Sequence, residues 1–205
     1  MADVRRFAPA TGRNREPILE VLRRYVPKGA TVLEIASGSG EHAVSLAPRL
    51  GVARWQPSDE DAGARASIDA WRAHVGEEAA CVLPAMALDV TRPPSSIPRA
   101  DVVVCINMIH IAPWEACEGL LGVASEALAT GGVLYLYGPF KKGGAHTAPS
   151  NEAFDRSLRS TDPSWGVRDM DAVVDAARGR GFSLEAEVAM PKNNFSVVLR
   201  RSAPE

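Results

Sequence analysis

Short, nearly all-apolar runs alternate along this chain with longer amphipathic stretches. Thr31-Val32-Leu33-Glu34-Ile35 reads as a buried strand, Asp101-Val102-Val103-Val104-Cys105-Ile106 as a parallel strand buried on both faces, and Val133 to Tyr137 as another strand. Arg54 to Pro57 and Val82 to Leu88 supply two further strands. Helical spacing fills the gaps. Pro17 suits a first helical position, and Ile18, Leu19, Leu22, Tyr25 and Val26 form a stripe that stops at Pro27 and Gly29. Helices are also predicted from Glu41, over Asp61 to Val75 with Ile68, Trp71 and Val75 on one face, and over Trp114 to Thr130, closed by Gly131-Gly132. A polar insertion from about 138 to 166 holds a short helix, Asn151 to Arg159, with Ser150 as its candidate cap. Another helix follows, Asp169 to Arg180. Ser183 to Met190 and Phe195 to Arg201 then flank Pro191-Lys192-Asn193-Asn194 and predict an antiparallel β-hairpin. The alternation predicts an α/β chain: a doubly wound, Rossmann-like, mostly parallel sheet of seven strands, ending in that hairpin.

The junction after the first strand carries the most chemistry. Gly38 and Gly40 allow a tight turn and close ligand approach, and the following helix start favours an anion. Gly38-Ser39-Gly40-Glu41-His42-Ala43 fits the G-x-G-x-x-A dinucleotide fingerprint, with Asp59 placed 21 residues beyond Gly38 as a ribose-binding acid. Three features favour a different nucleotide-like cofactor. Glu34 puts a carboxylate inside the first strand, where an amino-acid ammonium is a natural partner. Asp89 ends the third strand as an acceptor for an adenine amino group or for its own turn. The terminal hairpin is unusual in a dehydrogenase.

Composition narrows the picture. A chain of 205 residues, 46% apolar, suits one domain over 1–205. Its 23 basic and 25 acidic residues leave a net charge of −2, so no overall field recruits nucleic acid or an anionic membrane. Cys81, Cys105 and Cys117 lack metal-ligand spacing and suit a reducing cytoplasm. The N-terminal residues lack a signal-peptide apolar region, and no apolar run reaches the roughly 18 residues of a membrane span. A soluble cytoplasmic protein, monomer or homodimer, is expected.

Glu34-x-Ala36-x-Gly38-x-Gly40, Asp59, Asp89 and the closing hairpin resemble the class I, seven-strand S-adenosylmethionine-dependent methyltransferases, with Ala36 in place of the first loop glycine. Dispersed motifs are similar to the methyltransferase-like 26 family: Arg13-Asn14-Arg15-Glu16-Pro17-Ile18-Leu19, Ile106-Asn107-Met108-Ile109-His110-Ile111, Tyr137-Gly138-Pro139-Phe140, Ser150-Asn151-x-x-Phe154-Asp155 and Trp165-Gly166-Val167-Arg168-Asp169. The resemblance implies S-adenosyl-L-methionine as cofactor. Its methionine end would lie near Glu34, Ala36, Ser37, Gly38 and Gly40, its ribose at Asp59, its adenine near Asp89 and Val90, and Asn107 and Met108 beneath the sulfonium. His42 would touch the cofactor or support the loop. Arg13 and Asn14, in an N-terminal helical lid over about 1–28, would reach the cofactor carboxylate or make a structural bond.

Methyl transfer is an in-line displacement, so the protein must align the acceptor and exclude water. A base helps only an acceptor that keeps its proton, and histidine suits that role. His110, past the fourth strand, is the first candidate, and His146 in the insertion the second. Tyr137, Phe140, Asn151, Phe154 and Trp165 are candidates for an acceptor pocket, with Lys141 and Arg168 to pair an anionic acceptor. The expected activity is metal-independent methyl transfer to oxygen, nitrogen or sulfur of a small molecule. A nicotinamide-dependent oxidoreductase and a non-catalytic cofactor-binding partner protein are the alternatives.

Overall fold

A computed structural model describes residues 3–203, so the outermost residues of the expected domain, 1–2 and 204–205, lie outside the described residues. In chain order the elements are α1 (Thr11–Leu22), β1 (Thr31–Ile35), α2 (Glu41–Leu50), β2 (Arg54–Asp59), α3 (Ala62–Val75), β3 (Met86–Ala87), β4 (Ala100–Ile106), α4 (Trp114–Ala127), β5 (Leu128–Gly138), β6 (Lys141–Lys142), β7 (Ala145–His146), α5 (Pro149–Thr161), α6 (Met170–Arg178), β8 (Phe182–Met190) and β9 (Asn194–Arg201). Seven of the strands form one sheet in the order β3-β2-β1-β4-β5-β9-β8. β1 to β5 run parallel. β9 returns antiparallel between β5 and β8, so the predicted hairpin forms one edge of the sheet, with β8 outermost. The strand order reverses between β1 and β4, where open α/β sheets bind ligands at the carboxyl ends of their strands.

Side-chain alternation divides the core between the two faces. Val32, Val102 and Val104 pack with Ile18, Leu19 and Leu22 of α1 and Leu46 of α2. Leu33, Ile35 and Val103 pack instead with Leu120 and Leu121 of α4 and Val173 of α6. Val102, Val103 and Val104 are all solvent-free. Each such side chain contributes about 1.5–3 kcal/mol by leaving water. That is why β4 tolerates no polar residue along its centre.

Four local expectations change. α1 begins at Thr11, placing Pro17 inside the helix rather than at its start. Pro17 cannot donate to the Arg13 carbonyl, but the apolar stripe behind it holds the helix to the core. Ile18, Leu19 and Leu22 are fully buried there, so of the expected lid over 1–28 it is Ala10, Arg13, Asn14 and Pro17 that border the cavity at the carboxyl ends of the strands. The strand expected over Val82 to Leu88 is reduced to Met86–Ala87 plus one bridge between Trp55 and Val82, because Pro84 has no N–H for the ladder. Gly131-Gly132 lies within β5 rather than capping α4, beside a register shift in the pairing with β4. Ser150 does not cap α5; Pro149 takes the first turn, and the β6–β7 hairpin before it, turning at Gly143-Gly144, was not predicted.

Candidate active site

The carboxyl ends of β1 to β5 open onto two neighbouring cavities that share Ile111. The first, about 440 Å³, lies over β1, β2 and the turn after β3. It is lined by Ala36, Gly38, Asp59, Asp89, Val90 and Met108, all expected there, and also by Glu60, Thr91, Ile106 and Ala116. Its volume falls in the range of about 300–1,000 Å³ typical of small-molecule sites. The second, about 570 Å³, is bounded by Arg13 and Asn14 of α1, Asn107, Tyr137, the start of α5 and the β8–β9 turn.

Backbone conformation marks the same places. Among the described residues, four non-glycine residues have positive φ: Ala36, Asn107, Lys192 and Asn193. Ala36 lines the first cavity and the other three line the second. Such conformations cost about 1–3 kcal/mol each and concentrate at functional sites.

Asp59 organises the glycine turn. Its Oδ2 accepts from the Gly38 N–H at 3.0 Å and its Oδ1 from the Asp61 N–H at 3.0 Å. The Gly40 N–H is taken by the Ser37 carbonyl, and the Glu41 N–H by Ser39 Oγ at 3.3 Å. The turn is therefore not the open cradle of N–H groups that a pyrophosphate needs, against the expectation drawn from its spacing. What the turn offers is room: a Cβ on Gly38 would meet nothing within 4 Å, whereas one on Gly40 would lie 2.7 Å from the Ile68 Cα. Gly38 thus keeps the cavity floor low, and Gly40 lets α2 pack on α3.

Glu34 stands behind the turn rather than in either cavity. The Trp55 indole N–H donates to its Oε2 at 3.0 Å, and burial raises its pKa from 4.5 to about 7. Ser37, also absent from the linings, ties β1 to β2 by accepting from the Ser58 N–H at 3.1 Å. Asp89 folds its own turn, accepting from the Thr91 N–H and hydroxyl at 2.8 and 2.6 Å; these bonds hold its carboxyl below the usual range. His42 Nε2 donates to Asn14 Oδ1 at 2.9 Å, and desolvation lowers its pKa to about 4, so it buttresses Asn14 as a neutral ring.

Several acceptor-side expectations are corrected. His110 is fully buried and lines neither cavity; its Nδ1 accepts from the Arg168 N–H at 3.1 Å, and burial lowers its pKa to about 3. Its ring packs edge-on against Phe140 at 4.9 Å, and Phe140 is likewise core. As placed, His110 cannot reach a substrate proton. Arg168 is spent on carbonyls, donating to Ile109, Ala112 and Ser164 at 2.9, 2.5 and 2.9 Å. Lys141 and His146 both face the buried carboxylate of Asp155 at 3.5 Å, which also binds Arg159 and the Val167 N–H. That hub fastens the insertion together. Trp165 lines neither cavity, whereas Tyr137, Asn151 and Phe154 all line the second.

Sequence reasoning missed the β8–β9 turn as a wall. All five asparagines of the chain, Asn14, Asn107, Asn151, Asn193 and Asn194, line the second cavity. Among the described residues no group of three or more His, Cys, Asp or Glu is placed to hold a metal, and no helix is long and apolar enough to cross a membrane.

Residues 5–201 match the sequence family described as protein of unknown function DUF938. The chain belongs to that family. Its fold is similar to that of the S-adenosylmethionine-dependent methyltransferase SibL in its apo form (22% identity, TM-score 0.77, covering 95% of this chain and 56% of that one). An O-methyltransferase family protein from Burkholderia thailandensis gives 18% identity, a TM-score of 0.78 and coverage of 96% and 58%. Human N-acetylserotonin methyltransferase, solved in complex with S-adenosylmethionine, gives 14%, 0.75, and 95% and 53%. This DUF938 chain thus has the class I methyltransferase fold and spans a little over half the length of these structures.

Proposed function

We propose that the protein is an S-adenosylmethionine-dependent methyltransferase acting on oxygen, nitrogen or sulfur of a small molecule without a metal. The observation that carries this reading is the pair of adjoining cavities at the strand-order switch, with every non-glycine positive-φ residue among the described ones on their walls. The resemblance of the dispersed motifs to the methyltransferase-like 26 family supports it.

The first cavity fits the cofactor. Asp59 and the exposed Glu60 would take the ribose, and Val90, Met108 and Ala116 offer apolar contacts to the adenine. Gly38 and Ala36 would flank the methionine end, whereas Arg13 and Asn14 line the second cavity. Bound there, S-adenosylmethionine supplies an electrophilic methyl group on a sulfonium. Asn107, held in the left-handed region with its N–H on the Tyr137 carbonyl at 2.7 Å, stands between cofactor and acceptor sides and would orient the two. The satisfied N–H groups of the turn weigh against a dinucleotide. Isothermal titration with S-adenosylmethionine and S-adenosylhomocysteine tests the reading: both should bind, and reduced nicotinamide cofactor should not. Failure of both sulfur nucleosides to bind folded protein would refute it.

A further inference from the structure

The charged side chains lining the second cavity are both cationic, Arg13 and Lys192. The acids nearest to them in sequence are engaged elsewhere, Glu16 by Arg49 at 2.6 Å and Glu187 by Lys142 at 2.6 Å. Among the described residues on its wall none is Asp, Glu, His or Cys. The Tyr137 hydroxyl is there, but burial raises its pKa and leaves it a neutral phenol. The cavity therefore has positive charge and hydrogen-bonding amides, and no group that can take a proton near neutral pH. An acceptor that must lose a proton finds no base; one that arrives as an anion needs none, and its charge is what the two cations would hold.

The walls also describe the rest of the ligand. Ile111 and Phe154 are 44% and 42% exposed, two of the five exposed large hydrophobic residues among those described, and both face this cavity. Exposed apolar side chains gathered at one pocket mark a binding surface. The Lys192-Asn193 turn, also on the wall of this cavity, is fastened to α5, the helix that carries Phe154: the Asn151 Nδ2–H donates to the Asn193 carbonyl at 2.8 Å, and Asn193 Nδ2–H to Ser150 Oγ at 3.2 Å. Two consecutive left-handed residues are thereby fixed at the cavity wall.

We propose that the acceptor is a small organic carboxylate with an apolar body, methylated on its charged oxygen; this rests on the methyltransferase reading above. A carboxylate lone pair forms the new O–C bond, the C–S bond breaks, and its electron pair remains on sulfur. The products are a neutral methyl ester and S-adenosylhomocysteine, with no proton released. Losing its charge, the ester loses its attraction to Arg13 and Lys192, which favours release.

The test uses protein saturated with S-adenosylhomocysteine, titrated with benzoate, phenylacetate and octanoate and, separately, with the three corresponding amides. At least one acid should bind about tenfold or more tightly than its amide, and Lys192→Ala should erase about tenfold of that preference. Incubated with methyl-labelled S-adenosylmethionine, that acid should give base-labile label recovered as methanol, and an indicator dye in weak buffer should register no proton per turnover. Acids binding no better than amides, an unaltered preference in Lys192→Ala, or one proton released per methyl transferred would overturn this proposal alone. Failure of S-adenosylhomocysteine to bind would remove the methyltransferase reading and this proposal with it.

Discussion

Replacing Glu34 by Gln should make the protein more stable at alkaline pH and leave the acidic side little changed. The carboxyl is buried against the Trp55 indole, and its pKa rises from 4.5 to about 7 in the folded state. Because the folded pKa is raised, the protonated form is the one the fold prefers. Its contribution is complete below 4.5 and is lost as pH rises through 7. The shift corresponds to about 3 kcal/mol, order of magnitude, at about 1.4 kcal/mol per unit. Glutamine keeps an oxygen for the indole N–H and cannot ionise. Urea unfolding of both proteins at several values between about pH 4 and about pH 8.5 gives the stability difference directly. Other titrating groups are common to both proteins and cancel. The difference should grow in favour of Glu34→Gln by about 3 kcal/mol across the range, with a midpoint set by the titration of Glu34. A difference that stays flat, or grows with falling pH, would show that Glu34 is ionised in the folded protein and that the burial argument is wrong.

Other substitutions separate scaffold from site. His110→Ala should destabilise by about 2–4 kcal/mol, from lost packing on Phe140 and an unpaired Arg168 N–H, while S-adenosylhomocysteine affinity by calorimetry stays within about twofold. A large loss of affinity without a loss of stability would return His110 to the binding machinery. Asp59→Ala removes the acceptor of the Gly38 and Asp61 N–H groups, and S-adenosylhomocysteine affinity should fall about tenfold or more. Unchanged affinity would place the ribose elsewhere. Gly40→Ala meets both a φ of 91° and the Ile68 backbone, so thermal unfolding should report a loss of about 2–4 kcal/mol; Gly143→Ala, with φ 56° and open space, should cost about 1 kcal/mol. Equal losses would mean that contact with Ile68 carries no weight.

The parallel strands were legible because β1 and β4 are apolar on both faces, and the closing hairpin because Pro191 to Asn194 interrupts two alternating runs. β3 is shorter than the periodicity over Val82 to Leu88 implies, because that periodicity does not register what Pro84 removes from a ladder. The glycine turn was found by pattern, but pattern does not show that Asp59 already occupies the Gly38 N–H. His110 looked chemical from its place after β4; the backbone turns it inward, against Phe140, which a linear reading cannot see. Asparagine was the overlooked signal. Five amides scattered from 14 to 194 have no common motif, and only the return of β9 beside β5 brings Asn193 and Asn194 to the wall that Asn107 and Asn151 already form.

The two cavities draw on different stretches of the polypeptide. The first is built wholly from residues between Ile35 and Ala116, whereas the second takes its walls from α1, from the segment between Tyr137 and Phe154 and from the β8–β9 turn, drawing from that middle stretch only Asn107 and the shared Ile111. Insertions or exchanges in those flanking stretches can therefore reshape one cavity while leaving the other's sequence intact. Relatives could diverge in what they accept while still sharing the middle of the chain. A methyl label on Ile111, touching both cavities, would report the filling of either.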